Sequence, residues 1–465
     1  MNRKHENTSA VKDRIWGFFD RLEGDKIVWI IVLSLMVISW LAIFSSTPLL
    51  ALETGMTRLE IMKEQIMLTF GGLLLIIGIY KLPNILILRA FSQLGYGLSL
   101  FLLTILASHA DLGFIRAEYI NGAWRTLNVL GAQVHVFEIV KVSMVVYLAW
   151  AINEYNTDIS GPRSRWTFWI MNTLGKHRRL SWMRKPLWKS MFYIYMPIGI
   201  VTVLTMLGSN SSGLIVGAVM VATLLIGGLH LKQVLLTALG GIVVLSLMLG
   251  VYHISDNEVF GRFGTGISRL KLDTDPTQLH ELRGDKFQER LGKIHQPNAA
   301  KIAVYEGGLI GKGPGGSTQK YAVPVMFGDY MYSFILEEYG IWLGLFVILL
   351  YSSILARGAW IAKLCETNYA RTAIGGLSFL ITSQAFLHMF INVDMGPLTG
   401  QTLPLVSHGT SSFLAFCVAF GVILAISRMA NKQILAEEKA YEAAMAAKDD
   451  VQASMDVLEQ LDNIE

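Results

Sequence analysis

The stretch of sequence that decides the fold is 134–150, VHVFEIVKVSMVVYLAW, an apolar run that carries two ionisable side chains, Glu138 and Lys141. An apolar run of roughly 20 residues predicts a membrane-spanning helix, because a helix of that length crosses the hydrocarbon core of a bilayer. Similar runs recur along the 465 residues, of which 53% are apolar and only 16% are charged. A globular domain carries roughly a quarter charged residues. The composition therefore predicts an all-α polytopic membrane protein.

The number and orientation of the spans follow from the apolar runs and from the positions of Lys and Arg. Ten runs reach spanning length: 27–50, 66–84, 90–108, 134–152, 190–207, 212–229, 233–252, 331–356, 372–393 and 411–428. Short segments on the side of the two termini hold 24 Lys and Arg, and those on the other side hold 4. The positive-inside rule therefore predicts ten transmembrane helices with both termini cytoplasmic. The long loop between the seventh and eighth spans, 253–330, is then extracytoplasmic.

The expected organisation has three parts. The first is a cytoplasmic tail, 1–26, in which Ile15, Trp16, Phe19 and Leu22 share one face of an interfacial amphipathic helix. The second is the ten-helix membrane domain, 27–429, and the third is a cytoplasmic helical tail, 430–465, rich in Ala, Glu and Lys. The net charge of +4 indicates no nucleic-acid partner, and two cysteines provide no disulfide framework or zinc site.

Glu138 and Lys141 are the first candidates for a functional site. They are three residues apart and so share a helix face. Ionised groups within a span are unfavourable by a few kcal/mol unless they are paired or face a polar cavity, so they mark sites by default. A structural ion pair is the alternative. The preceding segment, NGAWRTLNVLGAQ (121–133), resembles a re-entrant external segment, and its Arg125 together with Glu138 and Lys141 suggests an anion pocket.

The end of the long loop is rich in glycine and leads to an acidic residue. Residues 306–340 read EGGLIGKGPGGSTQKYAVPVMFGDYMYSFILEEYG. This is not a phosphate-binding Walker loop, because Lys312 is followed by Gly313 instead of Ser or Thr, and Glu306 replaces the first glycine. Asp329 stands at the mouth of the eighth span, where it is either a helix N-cap or a site residue.

A second polar segment lies between the ninth and tenth spans. Residues 392–412, NVDMGPLTGQTLPLVSHGTSS, contain no basic residue but include Ser407 and His408. Non-helical polar backbone at membrane depth is stable only where it lines a cavity or is buried in protein. We therefore expect this segment to contribute to the site.

These segments, in this order, resemble the SEDS family (shape, elongation, division and sporulation proteins). The resemblance covers about 27–430 and is strongest in three pieces: 121–150; EGGLIGKG (306–313) with GDYMYSFILEEYG (328–340); and GPLTGQTLPLVSHGTSS (396–412) leading into AISR (425–428). The opening, GDKIVWIIVLSLMVISWLAIFSS (24–46), is more similar to the division member, FtsW, than to the elongation member, RodA.

The resemblance implies that the chain polymerises lipid II into glycan strands on the outer face of the bacterial cytoplasmic membrane. By position, Arg125, Glu138 and Lys141 match the family's polar cavity, Asp329 matches its essential aspartate, and Glu338 matches the second acid of its G-E-E-L-G motif. The departures from the family's motifs are Asn210, Ser211, Val325, Gly328, His408 and Thr410. They fit a divergent lineage or a partner-dependent enzyme.

The implied reaction sets the expected roles. The 4-hydroxyl of one sugar attacks the anomeric carbon of another and releases a diphosphate with inversion, which needs a base and positive charge. Asp329 is the expected base, and Arg125 with Lys141 is expected to hold the diphosphate. The remaining candidates for substrate binding are Glu138, Lys312, Glu338, Ser407 and His408. A divalent cation, Mg²⁺ or Mn²⁺, shared with the diphosphate is a further expectation.

The resemblance also implies partners and a location. A class B penicillin-binding transpeptidase and other membrane proteins of the divisome are the expected partners, and the division septum is the expected location. Three alternatives stay open at this point. They are a lipid II flippase or transporter, a RodA-type elongation polymerase, and a non-catalytic division scaffold.

Overall fold

The computed structural model describes residues 23–120, 123–160, 176–177, 181–183, 185–254, 285–323, 325–397 and 399–462. The interfacial helix predicted over 11–23 lies outside these residues except at its last position. Helices predominate in the described part of the chain: α1 Lys26–Ser46, α2 Pro48–Thr54, α3 Arg58–Tyr80, α4 Ile85–Ser108, α5 Val136–Ser160, α6 Pro186–Ser190, α7 Met196–Gly208, α8 Asn210–Ile226, α9 Leu231–Ile254, α10 Asp285–Gly307, α11 Met331–Leu364, α12 Asn368–Asn392 and α13 Thr410–Asp462. A π-helical turn, Met191–Tyr195, joins α6 to α7, and Gln319–Tyr321 forms a 3₁₀ turn.

The polytopic helical membrane fold is confirmed. Among the described residues, nine helical segments are long and apolar enough to cross a membrane, one of them formed by α6 and α7 together. Every predicted run contains a helix, but the sixth, α8, has only 17 residues. A span of that length lies at the lower limit for a bilayer, so the number ten stays a prediction.

Helix α5 forms the centre of the bundle. In its spanning window 89% of the residues are buried, against 11% in α9. The helix contacts α4, α8, α12 and α13. Small and β-branched side chains such as Val140, Ala149 and Ile152 are fully buried on it and let its neighbours approach closely. Glu138 and Lys141 therefore lie in the protein interior and not against lipid.

The segment before α5 differs from the sequence-based expectation. It forms a three-stranded antiparallel sheet, β1 Ile115–Ile120, β2 Ala123–Val129 and β3 Ala132–His135, in the order β1-β2-β3, so the expectation of a re-entrant segment is wrong. The second turn contains Leu130 (φ 52°) and Gly131 (φ 92°), the left-handed pair of a tight hairpin. The Asn121-Gly122 pair is the strongest short hairpin signal in any sequence, and sequence analysis passed over it.

Strand β2 directs Arg125 toward the bundle. Leu127 is fully buried, and its neighbour across the β1 pairing, Ala117, is buried with it. The register with β1 shifts beside Arg125, because Thr126 lies opposite Glu118 but Trp124 lies opposite Tyr119, so Arg125 stands at an irregularity of the strand where the regular alternation of faces is interrupted.

Two long helices have unexpected features. Helix α11 is broken at Gly340, whose φ of 76° and ψ of −179° are not helical. Helix α13 continues without a break through the boundary predicted at 429/430, so the last span and the tail form one helix.

Candidate active site

Arg125 and Asp329 approach the same point of the backbone. Arg125 Nη1 lies 3.4 Å, and Asp329 Oδ2 3.7 Å, from the position that a Cβ on Gly400 would occupy. Gly400 has a φ of 66°, which an L side chain rarely adopts. The absence of a side chain at Gly400 thus leaves space beside a cation and a carboxylate that come from separate parts of the chain.

Asp329 is not the cap of the helix that follows it. Helix α11 begins at Met331, its N-cap is Tyr330, and no side chain caps it. The capping interpretation of Asp329 is therefore wrong.

The backbone of Asp329 is held by neighbours from α11 and α12. Asp329 N donates to Val325 O at 3.1 Å, and Asn392 Nδ2 donates to Asp329 O at 2.9 Å. Asn392 is fixed in turn, because its Oδ1 accepts a hydrogen bond from Ser333 N at 3.0 Å. Sequence analysis missed Asn392, which looks like an ordinary residue at a helix end.

Ser407 and His408 hold the same turn from the other side. Ser407 Oγ donates to Gly328 O at 2.8 Å and accepts from Leu403 N at 3.0 Å. His408 N donates to Phe327 O at 2.9 Å. These contacts explain why both residues matter for the geometry of the site. Their predicted contact with substrate stays a prediction.

The ring of His408 is also held within the protein. His408 Nδ1 lies 3.3 Å from Gln65 Oε1, and Gln65 Nε2 donates to Ser39 Oγ at 3.2 Å. The amide of Gln65 is thus oriented with its oxygen toward the ring, so Nδ1 is the donor. Burial lowers the pKa of His408 below its usual value of 6.5.

Lys141 is surrounded by acceptors. Its Nζ donates to Glu138 Oε1 at 2.7 Å, to Gln401 Oε1 at 2.9 Å and to Gln384 Oε1. An ammonium has three N–H donors, and all three are used here. Gln384 Nε2 donates to Glu138 Oε2 at 3.3 Å and to Thr402 O at 3.1 Å, which fixes the orientation of that amide. Glu138 and Lys141 thus form the expected pair, and Lys141 must give up a partner before it can bind a diphosphate.

Two histidines lie beside this network, and one of them, His135, is also near Arg125. Burial lowers the pKa of His135, and Arg125 lowers it further while Glu138 acts in the opposite direction, so both charges lie near that ring. His388 Nδ1 lies 2.7 Å from Gln401 O, and His388 Nε2 is buried without a hydrogen-bond partner. Neither histidine was a sequence candidate, because a single histidine in an apolar run gives no spacing signal.

Lys312 and Glu338 lie in a second group of charges, which joins the glycine-rich loop to α11. Lys312 Nζ pairs with Glu337 Oε1 at 2.9 Å and also with Glu306. Glu338 Oε1 pairs with Lys320 Nζ at 3.1 Å. The structure therefore brings together Arg125, Asp329 and the last polar segment, and gives Lys312 and Glu338 partners of their own.

The departures from the SEDS motifs cluster around the same region. Asn210 and Ser211 begin α8, and Ser211 Oγ donates to Thr399 O at 3.4 Å, beside Gly400. Val325 and Gly328 form the turn before Asp329, where Gly328 N donates to Val325 O at 3.1 Å. Across the described ranges no three His, Cys, Asp or Glu side chains lie together in a way that could hold a metal ion.

Comparison with known proteins identifies relatives. The profile of the FTSW_RODA_SPOVE family, described as "Cell cycle protein", matches residues 25–432. The chain is 37% identical over 134 residues to the "Probable peptidoglycan glycosyltransferase FtsW" of Caulobacter vibrioides, covering 29% of this chain and 34% of the relative. It is 33% identical over 149 residues to the "Peptidoglycan glycosyltransferase MrdB" of Escherichia coli K12, covering 30% and 39%. These alignments span little more than a third of each relative.

A longer alignment and two solved structures extend the similarity. The "Probable peptidoglycan glycosyltransferase FtsW" of Pseudomonas fluorescens is 23% identical over 405 residues, covering 85% of this chain and 86% of the relative. A solved structure described as "Structural coordination of polymerization and crosslinking by a peptidoglycan synthase complex" matches with a TM-score of 0.58 and 18% identity, covering 88% of this chain and 98% of that one. The rod shape determining protein RodA of Thermus thermophilus matches with a TM-score of 0.52, 18% identity and the same coverage. At 18% identity these two matches show that the chain shares their fold.

Proposed function

The chain belongs to the FtsW, RodA and SpoVE family of cell cycle proteins, and on that premise we propose that it is a peptidoglycan glycosyltransferase. Its substrate is lipid II, which it polymerises into glycan strands during bacterial cell division. The names of its relatives support the activity, and the name FtsW, which several of them carry, supports a role in division.

The observation that carries the proposal is the approach of Arg125 and Asp329 to Gly400. Inverting glycosyl transfer needs a base at the attacking hydroxyl and positive charge at the departing diphosphate. Asp329 takes the proton of the 4-hydroxyl as the new bond to the anomeric carbon forms, and Arg125 stabilises the negative charge on the diphosphate. A guanidinium suits that role, because it donates two parallel hydrogen bonds to phosphate oxygens.

Lys141 and Glu138 have a supporting part in this mechanism. Their ion pair holds Gln384 and Gln401, and Gln401 is the residue after Gly400. The pair thus fixes the backbone that Arg125 and Asp329 approach. A direct contact of Lys141 with the diphosphate requires the exchange of one of its three acceptors.

A divalent cation, Mg²⁺ or Mn²⁺, fits this site only together with the substrate. The described residues form no resident cage of ligands. Asp329 and the diphosphate oxygens would hold the ion between them, and the ion would neutralise charge on the diphosphate. We expect Mg²⁺ to raise the melting temperature only when lipid II is present. Stabilisation by Mg²⁺ alone would contradict the shared site.

In the decisive experiment, the purified protein is given fluorescent lipid II, and three outcomes are distinguished. Glycan polymer identifies a polymerase. Movement of lipid II between vesicle leaflets without polymer identifies a flippase or transporter. If neither polymer nor movement of lipid II is seen when the transpeptidase partner is present, the protein is a scaffold.

The proposed topology places both termini in the cytoplasm and 253–330 outside. The distribution of short-loop charges, 24 against 4, supports it. Reporter fusions after Lys176 and Lys286 test it. An external signal from the first or a cytoplasmic signal from the second would contradict it.

The proposed partner is a class B penicillin-binding transpeptidase, in company with other membrane proteins of the divisome. Glycan strands require cross-linking, and one of the matching solved structures is of a peptidoglycan synthase complex that coordinates polymerisation with cross-linking. Co-purification after mild cross-linking in native membranes tests the complex. Imaging of the tagged protein at the septum or along the side wall separates the division role from RodA-type elongation.

A further inference from the structure

The break in α11 creates a docking place for the glycine-rich loop 308–323. Because Gly340 is not helical, Ile341 N donates to Gly308 O at 3.0 Å and not to a carbonyl one turn earlier. The carbonyls of Glu337 and Glu338 instead accept from Lys312 N and Gly313 N, both at 2.9 Å. The loop thus completes the hydrogen bonding of the broken helix.

A buried ion pair secures the same junction. Lys320 Nζ lies 3.1 Å from Glu338 Oε1, and the two side chains are 1% and 0% exposed. Lys320 Nζ also donates to Gly315 O at 2.8 Å and lies 3.1 Å from Ser45 Oγ, while Ser45 Oγ donates to Glu338 Oε1 at 2.6 Å. One lysine therefore joins the loop, α11 and the end of α1.

Tight turns connect Lys320 with Asp329. Val323 N donates to Gln319 O at 3.0 Å, Met326 N to Val323 O at 3.3 Å and Asp329 N to Val325 O at 3.1 Å. Val323 and Met326 are buried. Hydrogen bonds among the described residues on both sides of position 324 thus tie the segment from Gln319 to Asp329, and along this segment we expect a displacement at Lys320 to reach Asp329.

We infer that Lys320 is a positioning residue for the proposed reaction: its ion pair with Glu338 clamps the loop 308–323 onto the break in α11 and thereby places Asp329. This inference rests on the proposed function. It assigns Glu338 to the clamp and not to contact with substrate. Lys320 touches no reacting atom.

The strength of the clamp comes from its burial. An exposed pair such as Lys432 and Glu23, which are 57% and 51% exposed, is screened by water and contributes little. A fully buried pair interacts strongly, and loss of one partner leaves an uncompensated charge. Removal of Lys320 therefore removes the contact that holds the loop on α11, and it also leaves the Glu338 carboxylate buried without its cation.

The first measurement is the accessibility of a cysteine placed under the clamp. The natural cysteines, Cys365 and Cys417, are buried, so they provide a low background. Val323→Cys puts a small apolar thiol at a position that is 1% exposed. In the full-length protein we expect Lys320→Met to speed its reaction with a water-soluble maleimide by at least about tenfold, because local opening limits the reaction. Lys432→Met, the same substitution in an exposed pair, is the control and is expected to change nothing.

The second measurement separates positioning from damage to the fold. Lys320→Met is expected to lower kcat about tenfold and leave KM within about twofold, because it misplaces the base without touching the bound substrate. Added to Asp329→Asn, it should lower the residual rate no further, because both changes act through the same carboxylate. If Lys320→Met instead caused a general loss of structure, the double variant would show the product of the two separate reductions in rate.

The double variant Lys320→Met with Glu338→Gln tests the role of charge. It removes the ion pair but leaves no unpaired charge, so the thermal melt should return close to that of the unmodified protein. Fast labelling and low kcat should persist. Recovery of slow labelling in this variant would overturn the clamp, as would slow labelling of Lys320→Met itself.

The labelling and the kinetic measurements together distinguish a failure of this inference from a failure of the proposed function. Labelling does not depend on polymerisation, so it tests whether the Lys320–Glu338 pair holds the loop on α11 even if the protein does not polymerise lipid II. Fast labelling with unchanged kcat would overturn the positioning role.

Discussion

Arg125 and Asp329 both approach Gly400, with Arg125 Nη1 3.4 Å and Asp329 Oδ2 3.7 Å from the position of a Cβ on that glycine. A cation and a carboxylate that approach one point of the backbone suit a reaction that moves a proton and releases a diphosphate. Predictions about the site follow from this geometry and from the networks that support it.

Replacement of Asp329 by Asn should abolish most of the activity while the fold persists. Turnover should fall by at least about a hundredfold, because an amide cannot accept the proton. The variant should still fold and melt cooperatively, because the side chain does not cap α11. Polymer formation and melting of the same sample are the measurements. Asp394→Asn, which removes a half-exposed carboxylate paired with Lys301, is the control. Near-normal polymer from the Asp329 variant would return this residue to a structural role.

Gly400→Ala should reduce activity more than stability. An alanine at positive φ is unfavourable by about 1 kcal/mol, and Gly55, with a φ of 69° and no atom near its Cβ position, should suffer the same loss when changed to Ala. Only at Gly400 does the methyl group come into contact with Arg125 and Asp329. We expect turnover to fall about tenfold in Gly400→Ala and to stay normal in Gly55→Ala. Equal turnover in the two variants would contradict the site.

Lys141→Met should destabilise the protein strongly, because it leaves Glu138 buried without its cation. The expected loss is about 3–5 kcal/mol, and the double variant Lys141→Met with Glu138→Gln should recover most of it. Thermal melting measures both. If Lys141 has a supporting part, the stable double variant keeps turnover within about tenfold. A much higher KM in that variant would instead mean that Lys141 binds the diphosphate directly.

The pH dependence of stability should change when His408 is replaced by Gln. In the folded protein burial holds the pKa of His408 below 6.5, so below that pH the unfolded chain takes up a proton more readily than the folded one. Stability is therefore lost as the pH falls below 6.5. Melts recorded between about pH 8 and about pH 5 should show a smaller loss for His408→Gln. Some loss should remain, because burial lowers the pKa of His135 as well. An equal loss in both proteins would contradict this account of His408.

Local sequence patterns were sufficient to predict the membrane-spanning helices and to place Glu138 and Lys141 on one helix face. Apolar runs specify spans because the bilayer acts on each segment separately. The spacing of Glu138 and Lys141 was sufficient to place them on one helix face, with an ion pair as the alternative interpretation, and the structure has them in contact at 2.7 Å. The sheet that carries Arg125 was missed although Asn121-Gly122 indicates a hairpin, because the apolar pattern of the neighbouring spans dominated the interpretation of that segment.

By itself, then, the sequence determined that this is a polytopic helical membrane protein and that Arg125, Glu138, Lys141 and Asp329 are candidates for its site. Only the tertiary structure decided which side chains meet. Gln384 and Gln401 look like ordinary polar residues in the sequence, yet both accept hydrogen bonds from Lys141. Lys320 looks like any loop lysine, yet it pairs with Glu338. A contact between distant residues depends on how helices pack and where one of them breaks, and no local spacing records that. The burial that makes the Lys320 pair strong is likewise a property of the assembled bundle.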